Sequence, residues 1–261
     1  MKRWIPGRKM AWLLVAAASA CTPREPTPRL SSTDVEAPFA AEELPRTDPA
    51  AKAWEGAPEL VTKLLLQDQT EPRLTQAGVE LLRVRALHDG KWIAFRLQWD
   101  DATRDALTAA GRLSDAVAVQ VPVEAGGNVP DGAMGQAGRP VRIHVWKAEW
   151  QDADGRKEDP IQVLYPNAKP DHYPFEMAGE KDRSAMEIRY APARAAGNPM
   201  ASLRPGSPTQ DLVAEGFGTL TALPGMVSVG RGIHDGRTWS VTIARPLDED
   251  DDFLDRLEIE G

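Results

Sequence analysis

The chain has 261 residues but only one cysteine and four histidines, and both scarcities restrict its chemistry. The single cysteine, Cys21, excludes an intramolecular disulfide, a cysteine-ligated iron–sulfur cluster and a structural zinc site built on cysteines. It also excludes a covalently attached c-type haem, which needs a Cys-x-x-Cys-His motif. A domain of this kind has to be stabilised by its own hydrophobic core, and the chain is long enough to form one.

Sequence signatures of several enzyme classes are missing as well. There is no Gly-x-Gly-x-x-Gly or Walker-type loop, no His-Glu-x-x-His and no Gly-x-Ser-x-Gly. No two histidines have the helical spacing of metal ligands; they are His88, His144, His172 and His234. Nothing in the sequence therefore indicates an enzyme with its own catalytic site.

Positive charge is in deficit, since the net charge is −8. The sequence shows no basic cluster, so nucleic-acid binding is not expected. Residues 248–261 carry eight acidic side chains and one arginine, Arg256. This stretch is either a solvated tail or a docking surface for a basic partner such as a small cytochrome.

The N-terminus has the features of an export signal. Four basic residues precede an apolar stretch at residues 11–18 that is too short to span a bilayer. Small residues then lead into Cys21 and resemble a bacterial lipobox, which predicts a signal peptide over residues 1–20 and lipidation of Cys21. The alternative is ordinary signal cleavage near Ala20 that leaves a free cysteine. Thr22 after the cysteine resembles the pattern that directs lipoproteins to the outer membrane.

Residues 21–47 are rich in proline, alanine, threonine and glutamate without apolar periodicity, which predicts a flexible linker. Residues 48–261 then form the predicted folded domain, and strand patterns dominate it. Trp92 to Trp99 alternates between two faces after an Asp-Gly turn at 89–90, and a second Asp-Gly turn at 235–236 indicates another hairpin. We therefore expect an all-β antiparallel sandwich with long loop insertions and a few short helices.

Three further segments are assigned from their patterns. Residues 141–150 predict a strand that carries Trp146 and Trp150 on one face. Residues 101–111 predict a short helix, and residues 207–214 predict another, with a serine N-cap and a proline at the first helical position.

The segment from Met134 to Trp150 runs from a glycine-rich loop into a strand that contains tryptophan. A methionine at the start of such a loop is either ordinary core filling or an axial ligand to a haem iron. The residues around Met134 alone do not choose between the two roles.

Several segments, in their order along the chain, resemble the haem b-binding γ subunit of ethylbenzene dehydrogenase. The related γ subunits of dimethyl sulfide dehydrogenase, selenate reductase and chlorate reductase share the pattern. The matching segments are residues 48–58, 87–101, 115–122, 134–150, 165–166, 214–221 and 231–247.

The resemblance implies a β-sandwich that holds one non-covalent haem b through a methionine and a lysine. Met134 falls at the methionine position, but Arg231 stands where the lysine is expected, and a guanidinium has no lone pair for a metal. His234 is a candidate second ligand, and Lys147 is another if the alignment is displaced. Alternatively, the haem is five-coordinate or missing, and Arg231 has another role, such as pairing with a haem propionate.

The function that the resemblance implies is electron transfer by an exported, lipid-anchored haem protein on the periplasmic side. Its expected partners are a molybdenum catalytic subunit and an iron–sulfur subunit, or a soluble cytochrome. The alternative is a haem-free β-sandwich lipoprotein with a ligand-binding or assembly role, because a fold does not determine a function.

Overall fold

A computed structural model describes residues 34–66, 71, 73–109, 111–124, 129–153, 163–167, 207–223, 225 and 227–248. The predicted signal peptide, Cys21 and the acidic residues after 248 lie outside this part of the chain. Among the described residues, no helix is long and apolar enough to cross a membrane.

In the described part of the chain, nine strands form two antiparallel sheets, which confirms the predicted all-β sandwich. The five-stranded sheet has the order β1-β2-β3-β9-β8. Its strands are β1 (Leu60–Lys63), β2 (Leu81–His88), β3 (Trp92–Asp100), β8 (Val229–His234) and β9 (Thr238–Pro246). Both predicted Asp-Gly hairpins are present in it, as β2–β3 and β8–β9.

The four-stranded sheet has the order β4-β5-β6-β7. Its strands are β4 (Ala116–Pro122), β5 (Val141–Lys147), β6 (Thr209–Ala214) and β7 (Thr221–Ala222). Val141 on β5 pairs with Ala214 on β6, and Trp146 pairs with Thr209 at the other end of the same two strands. These two pairs define the two ends of the sandwich used below.

Tryptophans dominate the core between the sheets. Trp239 and Trp146 are fully buried with ring centroids 5.0 Å apart, and Trp99 stacks on Trp239 at 6.2 Å. Leu97 and Trp99 belong to this cluster, as the predicted alternation of β3 requires. The Trp239 indole nitrogen donates a hydrogen bond to Asp115, so the large ring is satisfied at its polar edge.

A second cluster covers one half of the opposite, outer face of the five-stranded sheet. Trp54 is fully buried there, in the 3₁₀ turn Lys52–Gly56, and packs with Leu87 and Ala94. Ala40 and Leu44 belong to the same cluster, although the sequence assigned them to the flexible linker. Within the described residues, ordered structure thus begins before the predicted boundary at residue 48, because these apolar side chains have a surface to cover.

Three local predictions are wrong. The expected helix over residues 207–214 is strand β6, which is buried at every position. The serine expected as the N-cap of that helix accepts a hydrogen bond from the Thr209 amide at the start of the strand. In the expected helix over residues 101–111, the described residues 101–109 and 111 are not helical, and a β-bridge joins Ala109 and Arg112. The strand predicted over residues 141–150 ends at Lys147, and α1 (Ala148–Ala153) follows, so Trp150 does not share a strand face with Trp146.

Candidate functional site

Met134 has an unusual backbone conformation. Its φ is +69°, and it is the one described residue other than glycine with a positive φ. Left-handed backbone is uncommon for a side chain of this size and costs about 1 kcal/mol or more. Strained residues of this kind concentrate at functional sites, so the position itself indicates a role beyond loop filling.

The loop that carries Met134 is fastened to the ends of two strands. The Met134 carbonyl accepts a hydrogen bond of 2.8 Å from the Gly216 amide, just after β6. Gly135 has φ +78°, and a Cβ there would stand 2.9 Å from the Arg139 carbonyl oxygen and 3.1 Å from that of Ala214. Only glycine fits between these carbonyls, which fixes the turn beside Met134.

An apolar surface lies next to the Met134 side chain, on the face of the four-stranded sheet away from the tryptophan core. Met134 packs against a cluster formed by Val141, Ile143, Leu212 and Ala214, with Val145, Leu220 and Ala222 at its edge. A thioether beside an apolar strand face has the chemistry that a haem needs, namely a soft iron ligand and a surface for the macrocycle. The residues present therefore fit the group that the sequence suggested.

Arg231 points in a different direction. It follows the outward alternation of β8 and is exposed, whereas its neighbours Gly230 and Gly232 are buried towards the other sheet. Arg231 lies on the outer face of the five-stranded sheet. It is therefore not next to Met134, which packs on the far side of the four-stranded sheet.

His234 lies at the other end of the sandwich from Met134. Its Nε2–H donates to the Asp101 carbonyl oxygen at 3.0 Å, its Nδ1 accepts the Gly236 amide at 3.3 Å, and its ring packs on Trp239. Five strand residues separate the two ends, or about 17 Å at 3.3 Å per residue. One ring nitrogen thus bonds the hairpin and the other bonds the residue after β3, and the structure does not bring His234 to Met134.

Lys147 is the remaining candidate, at the Trp146 end of β5 and therefore at the other end of the sandwich from Met134. Strand alternation puts it on the same face as Val141 and Ile143, the face against which Met134 packs. Its Nζ lies 4.7 Å from the centre of the Trp150 ring, and burial lowers the pKa of this amine. The Lys147 side chain is half-buried.

A buried hydrogen-bonded pair that sequence reasoning missed connects β5 and β6. His144 Nδ1–H donates to Asp211 Oδ1 at 2.7 Å, and both side chains are about 1% exposed. Asp211 Oδ2 accepts the amides of Val227 and Ser228 at 2.7 and 3.0 Å. Burial raises the pKa of Asp211, but the hydrogen bonds from His144 and Ser228 outweigh it and hold that pKa below its ordinary value. The sequence could have indicated that His144 is buried, because it lies two residues from the core residue Trp146 and therefore on the same face of β5.

Acidic groups in the described ranges do not form a metal centre. Among the described residues, no group of three or more histidine, cysteine, aspartate or glutamate side chains could hold a metal ion. Asp100, Asp101 and Asp235 line a cleft of about 590 Å³ together with Arg237. Their carboxylates are occupied by hydrogen bonds from Arg83, Thr103 and the turn amides of the β8–β9 hairpin.

Comparison with known proteins gives two findings. Residues 51–261 match the family model described as Ethylbenzene dehydrogenase. Over 137 residues the chain is 28% identical to a protein of Haloferax mediterranei provisionally named as the respiratory nitrate reductase heme subunit ORF7. The match covers 52% of this chain and 49% of that protein, so the chain spans about half the length of this curated relative.

Proposed function

Because this chain belongs to the ethylbenzene dehydrogenase family, we propose that it is a haem-binding subunit of a respiratory dehydrogenase or reductase. The relative named as a nitrate reductase heme subunit supports the same class of role. In the finer form of the proposal, the haem is of type b and is held without covalent bonds, since the chain has one cysteine. The protein then relays single electrons for a partner that carries the catalytic site.

The observation that carries the proposal is the strained Met134 beside an apolar strand face. A methionine used only as core filling has no need of left-handed backbone, because its flexible side chain adapts to many positions. The hydrogen bond from Gly216 and the tight fit of Gly135 hold the Met134 backbone in this conformation. We propose that this conformation directs the thioether to an iron.

Lys147 lies on the strand face against which Met134 packs, but it stands at the other end of β5, six residues or about 20 Å from Val141. Burial lowers the pKa of its amine, yet this distance leaves it without the role of second axial ligand. His234 lies at the same end, and its ring nitrogens are hydrogen-bonded to the Asp101 carbonyl oxygen and the Gly236 amide. Arg231 lies on another face and cannot donate a lone pair, so neither ligation nor a propionate contact is assigned to it.

The residues of the chain set the properties of the group that they bind. A haem supplies reversible one-electron chemistry when bound, and a methionine ligand raises its reduction potential. The apolar side chains of Val141, Ile143 and Leu212 would keep water from the ring, which also favours a high potential. Such a site suits the outlet of an electron chain, towards a soluble cytochrome or another acceptor.

The partners and the cellular location complete the proposal. A molybdenum subunit and an iron–sulfur subunit are the proposed partners, since this family is named for such a dehydrogenase. We place the protein on the periplasmic side, attached to the outer membrane through lipidated Cys21. Labelling growing cells with a radioactive fatty acid tests the anchor: Cys21→Ser should lose the label, and a labelled Cys21→Ser chain would disprove it.

An absorption spectrum of the purified chain, oxidised and then reduced with dithionite, tests the central claim. We expect a Soret band and sharp reduced α and β bands that are shifted or lost in Met134→Ala. Leu113→Ala, at an exposed position in the described part of the chain, is the control and should retain the wild-type spectrum. A well-folded chain that shows no Soret band after haem is supplied would overturn the proposal and leave the haem-free binding lipoprotein.

A further inference from the structure

The strand register brings four arginines to one surface, although the sequence showed no basic cluster. Arg85 on β2 pairs with Arg96 on β3, Arg96 pairs with Thr242 on β9, and Thr242 pairs with Arg231 on β8. These three arginines and Thr242 therefore form one row across the outer face of the five-stranded sheet. Arg83 extends it from the adjacent row, beside Gln98, Ser240 and Ile233. We name this surface, Arg83, Arg85, Arg96 and Arg231, the arginine face.

Two of these arginines have carboxylate partners. Arg83 bonds Asp100 at 2.7 Å, and Arg85 bonds Glu59 at 3.1 Å. Arg96 and Arg231 form no ion pair with any residue in the described part of the chain. Two strand spacings separate them, or about 10 Å between their Cα atoms, with the small Thr242 between.

Arg96 has no carboxylate within ion-pair distance among the described residues. It is half-buried, its side chain lies 5.9 Å over the Trp54 ring, and one guanidinium nitrogen donates to Gln98. Its buried Nε has no hydrogen-bond partner among the described residues. Burial, and then the charge of Arg85, lower the pKa of Arg96 to about 10, and the opposing effects of Glu59 and Glu55 do not compensate. Arg96 is still charged at neutral pH, so an added carboxylate would remove an existing electrostatic cost.

The rest of the surface is typical of a protein-binding site. Ile233 is 39% exposed beside Arg231, and the hydroxyl of Ser240 and the amide of Gln98 lie between the charges. Arginine is enriched where proteins associate, whereas lysine and the acidic residues are depleted there. A flat sheet face also suits a protein surface better than a small anion, which needs a concave site.

We propose that the arginine face binds an acidic protein partner, whose carboxylates pair with Arg96 and Arg231. The inference does not depend on haem, because the arginine face lies on the other sheet from Met134. Guanidinium groups bind carboxylates in a bidentate fashion, so two of them at this spacing would fix the orientation of the partner as well as attract it.

Fluorescence anisotropy of a labelled decaglutamate peptide with the full chain tests the inference. We expect binding that weakens with salt, and a loss of about tenfold or more in the Arg96→Gln/Arg231→Gln double variant. Arg237→Gln is the matched control, since that arginine lies at the tip of the β8–β9 hairpin and should bind as wild type. Arg231→Gln alone keeps the test valid if the half-buried Arg96 proves necessary for folding, because Arg231 is exposed.

Three results would overturn the inference. One is equal binding of the peptide by the wild type and by a folded double variant. Another is arginine-dependent binding to phosphatidylglycerol vesicles but not to the peptide, which would identify a membrane surface as the ligand. The third is peptide binding only after removal of residues 249–261, which would identify the acidic tail of the chain itself as the occupant.

Discussion

Gly232 and Trp146 approach so closely across the two sheets that no side chain fits between them. A Cβ at position 232 would stand 2.7 Å from ring carbon Cη2 of Trp146. Gln151 in α1 locks the contact, because its side-chain amide bonds both backbone groups of Gly232, at 2.7 and 2.9 Å, and accepts the Trp146 indole N–H. The β8 backbone is thereby joined to the end of β5.

Gly232→Ala should therefore destabilise the fold. The added methyl group has to displace the buried Trp146 ring or the strand, which costs about 1–3 kcal/mol of unfolding free energy. Urea denaturation followed by tryptophan fluorescence measures the change. Gly78→Ala is the matched control, since a Cβ there meets nothing within 4 Å, and equal stability of the two variants would contradict the packing described.

The strained backbone at Met134 predicts a reversal of the usual order of alanine and glycine. Met134→Gly should be more stable than Met134→Ala by about 1 kcal/mol, because both lose the side chain but only glycine accepts φ +69° freely. Ala133 and Ala133→Gly supply the matched pair at an ordinary backbone position, where alanine should be the more stable. If Met134→Ala proves the more stable of its pair in urea denaturation, the left-handed conformation is not present in solution.

The strands that could be predicted are those with one buried and one exposed face. Residues 92–99 alternate because one face meets the tryptophan core and the other faces outward. Strand β6 was missed because it is buried on both faces, so it has no alternation, and the serine and proline before it mimic a helix start. The place of the expected second ligand on β8 could not be predicted either, because each step of one residue along the strand moves a side chain to the other face. Arg231 faces outward, whereas the next residue, Gly232, faces the other sheet.

The His144–Asp211 pair should make stability depend on pH in the acid range. Its hydrogen bonds lower the pKa of Asp211 in the folded state, so their contribution is present above the unfolded pKa near 3.8 and is lost as pH falls through the folded value. Asp211→Asn should flatten this acid dependence. The slope of unfolding free energy between neutral and acid pH is the measurement.

Asp211→Ala should have a larger effect than Asp211→Asn at neutral pH. It leaves the His144 N–H and two backbone amides without their acceptor in a buried site, at a cost of about 3–5 kcal/mol. Asp248→Asn, at an exposed position, is the control and should change stability by less than about 0.5 kcal/mol. A small effect of Asp211→Ala would show that water reaches the pair.

Lys147 and His234 should both prove dispensable as axial ligands, because both lie at the end of the sandwich away from Met134. Lys147→Arg keeps a cation over the Trp150 ring but removes the lone pair, and it should leave the reduced spectrum of the haem-loaded chain unchanged. His234→Gln retains a donor for the Asp101 carbonyl oxygen and should also leave that spectrum unchanged. The reduction potential, measured by redox titration, should move in Met134→Ala but in neither of these two variants, because an axial ligand sets it directly. A shift in Lys147→Arg or His234→Gln would assign the iron to the Trp146 end of the sandwich and require a different orientation of the Met134 loop.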